Sequence, residues 1–157
     1  MSCDAVALVA TLWLASAAPM TATTTPAVAV SAPPSSVASE PLFLDIVKRA
    51  DALKAAVDAW KGKDGPLDGF DMFKTQVAEL SKLDMDAHLL LKARGTDGDL
   101  KCILRGISQD LPLKLEAVTA AATPKALELA LRDMAYLLND NVEVITTPPT
   151  VTSQSST

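Results

Sequence analysis

The chain has 157 residues, with 14 basic against 19 acidic side chains and a formal net charge of −5. Lys and Arg are interspersed with Asp and Glu, so there is no basic stripe to neutralise phosphates, and nucleic acid is excluded as a partner. The same balance disfavours electrostatic docking on anionic lipid heads but leaves apolar adhesion open, because that does not depend on net charge.

No charged residue occurs between Asp4 and Glu40. Within that stretch Ala5 to Leu14 form an apolar run, followed by Ala15-Ser16-Ala17-Ala18-Pro19. An apolar core of this length followed by small residues is the pattern of a secretory signal peptide, cleaved after Ala17. It departs from that pattern in having no Lys or Arg before Ala5. A transmembrane span is not expected, since one needs about 20 apolar residues and Pro19 cuts this run short.

Residues 18–40 read as a disordered spacer of Thr, Ser, Pro, Ala and Val, in which Pro26, Pro33 and Pro34 discourage helix and sheet. The tail 147–157 has the same character. Such ends suit either an O-glycosylated stalk or bare disordered polypeptide. The implied address is secreted, extracellular or cell wall, with one folded domain over 41–146. Cys3 would leave with the leader. Cys102 is then expected to be a lone, small buried thiol with no intramolecular disulfide.

The clearest element runs from about Leu42 to Lys61, where Ile46, Ala50, Leu53, Val57 and Trp60 recur at intervals of 4, 3, 4 and 3 and define one apolar helix face. Gly62 and Gly65-Pro66 end it. A second helix is expected over Leu67–Leu83 with Phe70, Phe73, Val77 and Leu80 on its stripe and Asp68 as its cap. A short third follows over Asp84–Ala93, stopped by Arg94-Gly95. Asp97 or Asp99 caps a fourth element bearing Leu100, Ile103, Leu104, Ile107 and Leu111, with a kink or break near Asp110 because Pro112 lacks an amide donor. The last helix opens at Thr123-Pro124 and buries Leu127, Leu131, Met134, Leu138 and Ile145. Val142–Thr146 is the one strand-like segment. The expected fold is all-α, an antiparallel bundle of four to five helices with disordered Ser/Thr/Pro-rich ends.

Catalytic signatures are absent from the residue pattern. His88 is the sole histidine, and with Asp84 and Asp86 it falls short of the converging N or S ligands that zinc requires; it reads as a partly exposed helical residue. Cys102 lies across a glycine-containing loop from His88, so a nucleophilic pair would need a tertiary coincidence. Asp64 to Asp71 lacks the ligand alternation and closing Glu of a calcium loop. No enzyme, metal or cofactor is expected.

The run Asp45-Ile46…Leu53…Val57-Asp58-Ala59-Trp60-Lys61-Gly62 after a leader resembles the opening helix of the fungal hydrophobic surface-binding protein A family, which includes cell-wall galactomannoproteins. Leu83-Asp84-Met85-Asp86-Ala87-His88-Leu89-Leu90 is similar to the entry into that family's third helix, and Ala126…Ala130…Met134…Leu138…Val142…Ile145 to its closing helix. The resemblance covers about residues 42–146, although a lysine-rich stretch and the terminal aromatics of the family are missing. It implies a secreted, non-enzymatic protein that binds hydrophobic surfaces or fatty-acid-like lipids, with secreted hydrolases or cell-wall polysaccharide as further partners. The apolar lining expected on this basis is Ile46, Leu53, Val57, Trp60, Phe70, Phe73, Val77, Ile103, Ile107, Leu131, Met134 and Leu138. The alternative reading is a mannoprotein-like structural or protein-interaction module of the wall without a lipid ligand.

Overall fold

The 4-and-3 spacing of apolar residues in the first periodic stretch becomes helix α1 (Pro41–Trp60), in which Phe43, Ile46, Ala50, Leu53, Val57 and Trp60 are buried. The structure, a computed structural model, describes residues 37–147 except 64 and 97. The leader, most of the expected spacer and nearly all of the tail therefore lie outside the described residues. Pro41 occupies the first turn of α1, where a missing amide costs nothing. Glu40, just before it, receives two hydrogen bonds from the Arg94 guanidinium at 2.8 and 2.9 Å, which tie the start of α1 to the end of the next helix. That bonding holds the Glu40 carboxyl below its usual range.

Helix α2 (Phe70–Arg94) is one continuous element of 25 residues, where two helices were expected. Its buried stripe runs Phe73, Val77, Leu80, Asp84, Ala87, Leu91 without losing the helical interval, and no Gly or Pro interrupts it. Asp84, where the sequence suggests a boundary, lies within this stripe. Asp68 does not cap α2 either: Gly69, at φ 75°, holds the N-cap position. At the other end Gly95 adopts φ 69°, and the amides of Gly95 and Thr96 bond the carbonyls of Lys92 and Leu91. This Schellman closure needs the left-handed conformation that glycine adopts without strain.

Helix α3 (Gly98–Thr119) runs through Pro112 without the expected break. Asp99 lies inside its first turn rather than capping it, and Asp97 falls outside the described residues. Proline at 112 removes the amide that would bond the carbonyl of Ser108. The Ser81 hydroxyl of α2 donates to that carbonyl at 2.7 Å, so the orphaned acceptor is satisfied from the neighbouring helix. Helix α4 (Pro124–Thr146) starts as expected, with the Ala126 amide donating to Thr123 Oγ1 at 3.2 Å. It also absorbs Val142–Thr146, the segment expected to be strand-like, because Asn141 and Ile145 continue its buried stripe.

The four helices form an all-α bundle, with no strand among the described residues. Consecutive helices pack side by side and α4 closes on α1, leaving α1/α3 and α2/α4 as diagonals whose backbones do not approach. Pairing of early with late residues, as in Glu40–Arg94 and His88–Lys101, shows the antiparallel sense. Val37, in the turn before α1, is also buried against the core.

The proline accommodation predicts a measurable coupling. Ser81→Ala should cost about 1–3 kcal/mol, the usual penalty for a stranded acceptor. In a Pro112→Ala background, where an amide is restored, the same change should cost under about 1 kcal/mol. Urea unfolding of the four proteins in this double-mutant cycle measures the difference, and equal costs in both backgrounds would contradict the assignment.

Candidate functional site

Both turns at one end of the bundle are built from small residues. Gly62, Gly65 and Pro66 follow α1, and Ala120, Ala121 and Ala122 precede α4. None of these side chains is large enough to plug the space between the helix ends. The result is a cleft of about 650 Å³ between the two turns, lined by Trp60, Leu127 and Leu131 together with Ala121, Ala122 and the two glycines. That volume lies within the ordinary range of small-molecule sites. A second hollow of about 580 Å³ shares Leu127, Ala121 and Gly65 with it and adds Leu67, Phe70 and Met72.

Trp60 forms the floor. Its ring is 6% exposed and packs edge-to-face on Phe73 at 4.9 Å and on Phe70 at 6.0 Å between centroids, a geometry favoured by the aromatic quadrupole. Its Nε1 donates to the Asp68 carbonyl at 3.2 Å, which pins the α1–α2 connection over the ring. Lys74 Nζ stands 5.4 Å from the Phe70 centroid on the outer side. Met72 and Leu129 are large apolar side chains left 67% and 49% exposed near this end. Lys63, Lys125 and Glu128 line the cleft, while Lys61, Leu129 and Arg132 line a further hollow of about 370 Å³ that shares Gly62, Lys125 and Glu128 with it. Lys61 is engaged by Asp58 at 2.6 Å and Arg132 by Asp133 at 3.3 Å.

The residues expected to line an apolar site separate into two groups. Ile46, Leu53, Val57, Phe73, Val77, Ile107, Met134 and Leu138 are interior, packed in one continuous core. Trp60 and Leu131 are core residues that also face the cleft, while Phe70 borders the second hollow. Ile103 is half-buried against the core away from both. Leu127, Leu129 and Met72 were missing from the expected lining. The signal for them was the clustering of small residues in the two turns that flank them.

Polar groups inside the core were also unforeseen. Asp84, His88, Lys101, Ser108 and Asn141 are buried. His88, expected to be partly exposed, is enclosed, with Nδ1 2.6 Å from the Lys101 carbonyl. It can donate there only with its proton on Nδ1. Asn141 Nδ2 donates to Asp84 Oδ2 at 2.9 Å. Cys102 is disulfide-bonded, and no described cysteine is a free thiol. This differs from the lone thiol expected, and a sulfur so bonded is no nucleophile. Among the described residues no three His, Cys, Asp or Glu side chains converge to hold a metal.

No family model, curated protein or solved structure matches this chain significantly.

Burial and partner contacts of Trp60 set its mutational cost. Trp60→Ala should destabilise by about 3–5 kcal/mol, and Trp60→Phe, which keeps the apolar ring but loses the bond to Asp68, by about 1 kcal/mol. Chemical unfolding of both variants measures these values. An unchanged midpoint for Trp60→Ala would place the ring in an open groove instead of the core.

Proposed function

We propose that this chain is an exported, non-enzymatic protein that binds hydrophobic surfaces or fatty-acid-like lipids, akin to the hydrophobic surface-binding protein A family. Binding takes place at the bundle end floored by Trp60. The observation that carries this reading is the cleft itself, lined by Trp60, Leu127 and Leu131 between two turns rich in small residues, with Lys63, Lys125 and Glu128 at its edge and exposed Met72 and Leu129 on the hollows beside it. The interior residues serve a different purpose, since ordering a hundred-residue chain consumes the burial they provide. An apolar surface or acyl chain seated at the cleft would gain burial without unpacking the helices. No helix among the described residues is long and apolar enough to cross a membrane.

The test uses Leu127→Glu and Leu129→Glu together, with Leu89→Glu, an exposed site toward the far end of α2, as the control. Retention on polystyrene or polyester beads and binding of a fluorescent fatty acid are measured for each. The double variant should weaken binding by roughly tenfold or more, because one buried Leu contributes about 1.5–3 kcal/mol and about 1.4 kcal/mol is tenfold. The control should bind as the parent does. Parent retention no greater than that of an unrelated acidic helical protein would remove the proposal and leave the wall-protein reading.

A further inference from the structure

Among the buried polar residues, Asp84 of α2 and Asn141 of α4 meet inside the apolar core. Both side chains are 0% exposed. They belong to helices on opposite corners whose backbones do not approach, so their hydrogen bond crosses the diagonal of the bundle through its centre. One bond is formed, from Asn141 Nδ2 to Asp84 Oδ2 at 2.9 Å. Among the described residues, the buried side-chain atoms left without a partner are one oxygen on each of these two, Asp84 Oδ1 and Asn141 Oδ1. Two acceptors cannot satisfy each other. A single proton placed between them would satisfy both.

We propose that Asp84 is a carboxylic acid in the folded protein and donates from Oδ1 to Asn141 Oδ1, closing a two-bond acid–amide ring that pins α2 to α4 and is released by alkali. Carboxyl and amide are planar groups of nearly equal bite, so a second bond can lie beside the first. The proton also removes a charge that nothing nearby compensates. On α2, His88 directs Nδ1 to the Lys101 carbonyl. On α1, Arg49 is bound to Asp45 and to Glu79. Lys101 and Arg105 on α3, and Asp140 and Glu143 on α4, form no hydrogen bond with Asp84, whose partner is Asn141. Burial is the main influence on Asp84 and pushes its carboxyl from 3.8 up to about 8, against the opposing effect of the Asn141 bond.

The sign of the pH dependence follows. In the unfolded chain Asp84 ionises near its ordinary value, whereas in the fold it keeps its proton until about pH 8. Its stabilising proton is therefore fully effective below about pH 4, and stability is lost as pH rises toward about 8, at up to tenfold in the folding constant per pH unit for one proton. Acid tightens the pin and alkali loosens it. Glu40, Asp58 and Asp71, whose carboxyls are held below their usual range, act in the opposite sense and at lower pH.

Asp84→Asn provides the test, because an amide at 84 can form the same two-bond ring with Asn141 and never titrates. The ratio of folding constants, variant over parent, should rise about tenfold per pH unit across the window from about 4 to about 8 and then level off. Taking the ratio cancels the contribution of the carboxylates that both proteins share. A ratio that is flat, or that falls with pH, overturns the proposal. The parent protein supplies a readout independent of any variant: the 13C resonance of the Asp84 carboxyl should keep its protonated shift at pH 7 and move near pH 8. Movement complete by about pH 5 overturns it equally.

Discussion

Each of the four helices carries a single apolar stripe, and the closing of those stripes on one shared interior is the constraint on which the rest of the structure depends. Phe43, Ile46, Leu80, Leu104, Met134 and Leu138 come from all four helices and are enclosed in the same core. With stripes of helical spacing and short turns, the helices have few ways to close other than as a ring of antiparallel neighbours. Once closed, the interior is committed to stability. Capacity for an apolar partner then remains at the ends, and the turns around Gly62–Gly65 and Ala120–Ala122 leave one end hollow.

Where the interior is not apolar, three contacts join polar groups on different helices. Pro112 strands the Ser108 carbonyl, and Ser81 answers it from α2. His88 meets the Lys101 carbonyl across the α2–α3 seam. Asp84 meets Asn141 across the diagonal. These are matches between fixed positions, so a helix rotated by one residue would leave buried groups unpaired at a cost of about 1–3 kcal/mol each. Apolar packing closes the bundle, and the polar matches select which faces meet.

Helix positions were largely legible because amphipathic spacing survives in the residue order. The stripe of α1 and the Thr123-Pro124 start of α4 appear in the structure as read. Errors arose where a residue's chemistry contradicted its position. Asp84 suggested a helix boundary, although Phe73, Val77, Leu80, Ala87 and Leu91 place it within one stripe. Pro112 suggested a break, and its accommodation depends on Ser81, which lies 27 residues before Ser108 in the chain and is adjacent to it only after folding. The β-branched residues of Val142–Ile145 suggested a strand, yet Asn141 and Ile145 share the stripe of Met134 and Leu138. The site was legible only in part. Trp60 and Leu131 reach the cleft, but its existence depends on how two turns of small residues meet, which no linear spacing encodes.

The central claim is that the interior holds the fold while the Trp60 end makes the apolar contact. Amide hydrogen exchange, compared between the free protein and the protein adsorbed on polystyrene or saturated with a fatty acid, tests it most directly. The account predicts slower exchange around residues 60–72 and 119–131, with the amides flanking Asp84 and Asn141 as protected as before. Loss of protection at those central positions on adsorption would mean that the bundle opens to present its core, and would contradict the account.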